Sequence, residues 1–537
     1  MHAISQDKPV GLFLIGKAIR EANVSTTLAT GPGSRSNTAN YAMSLVPSFG
    51  QPSSDQCMTS NLPGTDKWTP LIPTGRISVN NLSELSVYLE KVKAFEANQD
   101  STSLYATATK DWQKHLIHFA GGGNANEQYI FQTYLNAMAD LAEDDYFAGN
   151  TMRIIKQSAN PLTPAQIQGI SDRISEGVTV LNFFGHASSS QSGFDLNIDD
   201  PQNWDNQGKY PLLIANSCYN GNIFYSVPTK SEQFVLTPNA GVIAYLGTIN
   251  YGFSGALNDY SNQFYRQFSR HNYGGTLGEH IRNTIDSVMN QNQPLSTESV
   301  FQQMTLHGDP MLRLNPHTKP EIELTTERVS FAPDAVSLST DSLEVNITLR
   351  NLGRSITDTF TVEISRHFPG NNADSSYFLL VDGLDYEKTV SCKIPFYPLI
   401  GVGLNQFTIS ADIPNFYDEV YDEVNNNRIE KNLNIRVDGI EPILPYEFAV
   451  VPKDTLSVFA STIDPLASLN TYRFEMDTTH LFNSAFHRYA VVSGVGGVKK
   501  VRWNEWKLVG NNATAPVVFN DSIVYYWRVA VDAPNPQ

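Results

Sequence analysis

Cys218 and His186 are the residues of this chain best placed for covalent chemistry. Each follows a short apolar run. Residues 178–184, Val-Thr-Val-Leu-Asn-Phe-Phe, lead into Gly185-His186; residues 212–215, Leu-Leu-Ile-Ala, lead through Asn216 into Ser217-Cys218. A cysteine attacks as thiolate, and a neighbouring imidazole supplies the acid, base or cation that this needs. Taken singly, each has a plainer reading: a small buried thiol, or a hydrogen-bonded structural histidine. Their shared place, just past two apolar runs, points to a nucleophilic pair.

Both runs have the length and branching of buried strands. In an open α/β sheet, reactive groups gather where strands end. The rest of the first 316 residues supplies such a sheet. Residues 10–16, 116–120, 152–155 and 241–247 read as further strands, and 70–79 as an extended, proline-bounded segment. Residues 81–97 read as a helix through Leu82, Leu85, Leu89 and Val92. Gly121-Gly122-Gly123 makes a tight turn, and Asn124 caps a helix over 125–141, which puts Glu127 at the helix start. Thr163-Pro164-Ala165-Gln166 is a capping box, followed by Ile167, Ile170 and Ile174 on one face. Helical segments are expected at 258–270 and 277–290, and a Gly-, Pro- and Ser-rich loop over 30–66. Strands alternating with helices predict a parallel sheet covered on both faces.

Near Asn315-Pro316 the pattern changes to period two. Residues 343–349, 360–364 and 405–409 alternate, with turns at Asn351-Leu352-Gly353 and 423–427. The expected organisation is an N-terminal α/β subdomain (1–110), a catalytic α/β subdomain (111–316), an immunoglobulin-like β-sandwich (320–437) and a second all-β domain (440–537), whole or truncated.

At 537 residues, 41% hydrophobic and 11% aromatic, the chain is globular. A net charge of −17 and the lack of a dense Lys/Arg run exclude a nucleic-acid partner. Three cysteines, Cys57, Cys218 and Cys392, provide neither a disulfide framework nor a four-thiolate zinc site. No apolar run reaches membrane-span length, and the N-terminus has no apolar signal core. The expectation is a piece of a longer extracytoplasmic protein (secreted, periplasmic or surface-located) whose targeting signal lies outside this sequence.

Gly185-His186 and Ser217-Cys218 resemble the His and Cys motifs of the gingipain family of cysteine peptidases, in the caspase-like clan. The segments Ile72-Pro73-Thr74-Gly75-Arg76-Ile77, Ser217-Cys218-Tyr219-Asn220-Gly221, Gly241-Val242-Ile243-Ala244 and Leu306-His307-Gly308-Asp309-Pro310 extend the resemblance over roughly residues 10–316. It is similar to the Bacteroidetes branch that includes the PorU-type sortase of type IX secretion, where an immunoglobulin-like domain often follows the catalytic one. Ala187 and Ser217 stand where the family usually has Gly and Ala.

The resemblance implies a cysteine endopeptidase acting on a protein or peptide substrate through a thioester. It makes Cys218 the nucleophile and His186 the proton donor to the leaving amine. The backbone N–H groups of Ala187 and Cys218 would form the oxyanion hole, and a backbone donor survives a Gly-to-Ala change. Glu127 is the candidate to orient His186, or else a carboxylate serving the helix dipole. Tyr251, in the loop 248–253, and Trp204 are the candidate substrate-pocket residues, with a buried anchor the other reading of Trp204. No cofactor is required. Asp195, Asp199, Asp200 and Asp205 allow a Ca2+ site, or form a solvated acidic loop. Two alternatives stay open: a sortase-like transpeptidase with cell-surface or secretion-system partners, and a catalytically dead adhesion or assembly scaffold.

Overall fold

The computed structural model describes residues 9–532 except 26–29, 61–67, 101–106, 145, 157–161, 188–199, 290–292, 334–341, 371–373, 398, 422–425, 436–438, 453–455 and 511–516. Eight strands form one continuous sheet: β1 (Leu12–Ile15), β2 (Thr74–Ile77), β3 (His115–Ala120), β4 (Asn150–Ile155), β5 (Val180–Phe184), β6 (Leu212–Asn216), β7 (Ala244–Thr248) and β8 (Met304–His307). Their order is β1-β2-β8-β7-β6-β5-β3-β4. Every residue of β5, β6 and β7 is buried, which explains why these strands read as unbroken apolar runs.

The sheet is not wholly parallel, which corrects the sequence expectation. β8 pairs antiparallel with β7 and parallel with β2. Three strands therefore run one way and five the other, and β8 is where the two sets meet. The strand was not anticipated because its four residues, Met-Thr-Leu-His, are too few to show a period. No break in the sheet falls near residue 110.

Helices cover both faces: α1 (Leu82–Asp100), α2 (Ala125–Asp144), α3 (Pro164–Glu176), α4 (Lys230–Leu236), α5 (Ser254–Arg266), α6 (Leu277–Met289) and α7 (Leu295–Gln303). On one face Leu135, Met138, Phe264 and Ile281 pack with Phe184, Ile214 and Leu246. On the other, Ile170, Ile174 and Phe234 pack with Leu181, Leu213 and Tyr245. Alternate strand residues thus point to opposite cores. The Thr163 capping box forms as expected, with both reciprocal bonds. A second capping box, Thr229 with Glu232, starts α4 and was not anticipated.

Buried ion pairs tie the N-terminal segment to the sheet. Arg76 on β2 is fully buried and holds the Asp55 carboxylate bidentately, with N–O distances of 2.7 and 2.8 Å. Its Nη1 also donates to the carbonyls of Gly16 and Val46. Lys17 pairs with Glu232, which also accepts the Ser78 hydroxyl.

Beyond residue 316 the chain is antiparallel. Ser342–Asn351 pairs with Val329–Ala332 and with Glu387–Pro395; Ile356–His367 pairs with Ser375–Leu384 and Gly403–Ser410, and the latter with Arg428–Ile435. Leu343, Val345, Ile347 and Leu349 face Val362, Ile364, Phe407 and Ile409 in a two-sheet core. A further all-β unit packs Val458, Phe474, Val501 and Trp506 between the sheets formed around Ser457–Thr462 and Asn470–Asp477.

The sandwich is bonded to the α/β unit. The buried Lys114 ammonium donates to the carbonyls of Phe147 and Gly353. Asp111 accepts from Arg350 at 2.8 Å and from the Tyr386 hydroxyl at 2.7 Å. No described helix is long and apolar enough to cross a membrane.

Candidate active site

Strands β3, β5, β6 and β7 run parallel, so their C-terminal ends share one edge. Phe184 and Asn216 are register partners, and the Gly185 N–H donates to the Asn216 carbonyl at 3.2 Å. His186 and Cys218 each lie two residues beyond that last pair. Neighbouring strands are separated by about 4.8 Å, so the two turns start side by side. His186 is exposed, its ring edge against Phe131 at 5.8 Å between centroids. Cys218 is half-buried.

Glu127 meets His186 as expected. Its Oε2 lies 3.1 Å from His186 Nε2 and accepts the Gly123 N–H at 2.9 Å. The Gly123 donor first, and then His186, hold the Glu127 carboxyl below the usual glutamate value. Asn124 caps α2, with its side chain accepting the N–H groups of Asn126 and Glu127 at 3.1 Å. An Nε2–H given to Glu127 leaves Nδ1 for the reacting atoms.

The turn carrying Cys218 is tightly held. Tyr219 adopts a left-handed backbone (φ 58°), fixed by its N–H to the Asn250 carbonyl at 2.8 Å and by edge-on packing against Tyr251. Thr248 Oγ1 donates to the Ser217 carbonyl at 2.5 Å. The Gly252 N–H points at Cys218 Sγ from 3.4 Å. A Cβ on Gly221 would sit 2.3 Å from the Gly247 carbonyl oxygen, so only glycine allows these strand ends to approach so closely. The Cys218 N–H makes no hydrogen bond among the described residues.

Tyr251 is partly exposed beside the Cys218 turn, where its carbonyl accepts Gln303 Nε2. Trp204 is elsewhere. It is 3% exposed and packs on Phe234 in the core shared by Ile170 and Leu213. The structure therefore makes Trp204 a core anchor, which corrects its placement in the pocket; its large apolar ring gains more from burial than from a solvent-facing wall. Ala187 is half-buried next to His186.

Among the described residues no cluster of three or more His, Cys, Asp or Glu side chains suits a metal ion. Asp200 accepts the Gln202 N–H and the Gln233 amide, and Asp205 is exposed. Asp195 and Asp199 lie outside the described residues.

Beneath the turns runs a buried polar network that was not anticipated. Asn216 Nδ2 donates to Asn182 Oδ1 at 3.0 Å, and Ser261 Oγ to Asn216 Oδ1 at 2.8 Å. Asn182 reaches the Tyr265 hydroxyl at 3.1 Å, which lies 2.8 Å from His118 Nε2. Burial pushes the His118 imidazole down to about 3, so it is neutral. The available signal was an asparagine inside each of two otherwise apolar strands, since a buried amide needs partners.

An α/β sheet with a histidine turn and a cysteine turn on adjacent strand ends can support chemistry by a cysteine nucleophile. The sequence profile of peptidase family C25 matches residues 2–315, and the chain belongs to that family. The protein is accordingly a cysteine peptidase with a polypeptide substrate. Solved structures similar to it include the Arg-specific cysteine proteinase gingipain R (14% identity, TM-score 0.44, covering 81% of this chain and 86% of that one). They also include the complex of Porphyromonas gingivalis RgpB pro- and mature domains (15%, 0.45, 81% and 88%). No curated protein matches the chain by sequence.

Proposed function

We propose that the chain is an extracytoplasmic cysteine endopeptidase in which Cys218 attacks the scissile carbonyl and His186, oriented by Glu127, protonates the leaving amine. The observation that carries the reading is the register: Phe184 pairs with Asn216, and the His and Cys turns leave adjacent parallel strands at equal steps. The Cys218 Sγ bonds to the carbonyl carbon, the amine leaves with a proton from His186, and water then hydrolyses the thioester. The unengaged Cys218 N–H, with that of Ala187, would receive the oxyanion. The aromatic wall at Tyr219 and Tyr251 would border the substrate. Membership of a family that works outside the cytoplasm supports the location.

The test is active-site labelling. Peptidyl acyloxymethyl ketones varied at the residue next to the warhead are applied with and without Ca2+, and labelled sites are read by peptide mass spectrometry. Selective labelling of Cys218, slowed in His186→Ala and absent in Cys218→Ala, is expected. Labelling of Cys218 no faster than Cys57 or Cys392 with every probe would sink the reading.

A further inference from the structure

A cavity of about 440 Å³ opens beside the Cys218 turn. Tyr219, Asn250, Tyr225, Arg20, Gln51 and Ser53 are among the residues that line it. Arg20 is the unusual group. The residue is buried, at 9% exposure, and among the described residues its side chain makes one hydrogen bond, Nη2 to the Gly31 carbonyl at 3.1 Å. Its Nε–H is shut off from solvent and has no partner among the described residues. The guanidinium lies 4.4 Å from the centre of the Tyr225 ring, which orients its plane without satisfying its donors. Among the described residues lining the cavity the one carboxylate is Glu21, which is taken by Arg35 at 2.5 Å.

A buried cation without a counter-charge is costly, and the cost is offset when an anion arrives. With Nε enclosed, the Nη1 and Nη2 donors of the planar guanidinium are the pair that can meet a carboxylate bidentately. The neighbouring walls are fixed: Arg20 N–H donates to the Phe224 carbonyl, Ser34 N–H to the Arg20 carbonyl, and Asp55, two residues past Ser53, is clamped by Arg76. The cation is thus presented on a rigid wall.

We infer that this cavity is a substrate subsite that takes an acidic side chain, Asp or Glu, from a position close to the scissile bond, with Arg20 as its specificity-determining residue. The position is close because Tyr219, which lines the cavity, directly follows Cys218. The inference rests on the peptidase reading above. A peptide residue spans about 3.5 Å, so an acidic side chain a few residues from the reacting carbonyl can reach the guanidinium.

The test uses internally quenched peptides, each carrying Glu or Gln, or Asp or Asn, at one position within three residues of the bond cleaved. At one position the acidic member of the pair is expected to be cleaved with a kcat/KM about ten- to a hundredfold higher, mainly through KM. Arg20→Gln should bring that ratio toward one, Arg20→Lys should leave an intermediate ratio, and Arg20→Glu should favour Lys there. Equal cleavage of both members at every position by the wild-type enzyme overturns the subsite, whether or not the variants fold. So does a preference that survives in folded Arg20→Gln. If no peptide is cleaved and Cys218 also resists the electrophilic probes, the peptidase reading has failed and the subsite falls with it.

Discussion

His186 Nε2 and Glu127 Oε2 lie 3.1 Å apart across two strand ends, and the same carboxylate oxygen accepts the Gly123 N–H. The carboxylate is therefore anchored to its own turn before it holds the imidazole. In the proposed mechanism Glu127 touches no substrate atom and acts through His186. Glu127→Gln should lower kcat about tenfold with KM nearly unchanged, and Glu127→Ala should lower it further. His186→Ala should cost about a hundred- to ten-thousandfold. Steady-state kinetics on one peptide substrate separate these outcomes. A change in KM alone for Glu127→Gln would mean that the residue binds substrate instead.

The contact between Gly221 and the Gly247 carbonyl gives a second prediction. A methyl group at Gly221 would lie 2.3 Å from backbone oxygen, which cannot move away as a side-chain tip can. Gly221→Ala must push the Cys218 turn off β7. A shift near 1 Å at a catalytic group costs on the order of a hundredfold in rate, and the overpacking about 1–3 kcal/mol of stability. Gly255→Ala is the control, because nothing lies within 4 Å of the added carbon in the first turn of α5. That variant should unfold at or slightly above the wild-type denaturant midpoint.

The parts of this architecture that were legible in sequence share a physical signature. β5, β6 and β7 are buried on both faces, so their apolar runs name them and the His and Cys turns after them. Asn124, Glu127 and Thr163 could be placed because helix caps depend on residues three or four apart. β8 and α7 could not, because four strand residues and a nine-residue helix show little periodicity. Trp204 and Arg20 show the other limit. Their roles depend on which distant segment covers them: Phe234 buries the first, while Phe224, Tyr225 and Gly31 surround the second. No local pattern carries that information.

Asp111 joins the α/β unit to the sandwich at two points, beside the Lys114 bond to Gly353. One carboxylate oxygen accepts from Arg350 and the other from Tyr386, and Arg350 also reaches Glu387 at 2.7 Å. Asp111→Ala leaves one arm of Arg350 without its acceptor and the Tyr386 hydroxyl with His115 Nε2, at 3.2 Å, as its remaining partner in a partly buried seam. The expected cost is about 1–3 kcal/mol. Urea unfolding of the variant should show a lower first midpoint, with the sandwich and the α/β unit separating into two transitions. A single transition at the wild-type midpoint would show that Asp111 contributes nothing to the coupling.

Buried histidines make the fold less stable toward acid. Burial pushes His118 and His307 down to about 3, and His280 and His317 down to about 4. In the unfolded chain each returns to about 6.5. Between pH 6.5 and 4 the unfolded chain therefore binds more protons than the native one. Stability contributed by each group is fully present above about pH 6.5 and is lost as pH falls toward the folded value, by about 1.4 kcal/mol per pH unit. His280 offers the clean test. Its Nε2 lies 3.0 Å from the Asn272 carbonyl, while its buried Nδ1 has no partner among the described residues. His280→Gln can keep a donor toward Asn272 and cannot titrate. Its free energy of unfolding, measured in urea from pH 7.5 to 5, should fall less steeply than that of the wild type, by about 1.4 kcal/mol per pH unit below pH 6. Parallel slopes for the two proteins would mean that His280 is protonated in the folded state as readily as in the unfolded one.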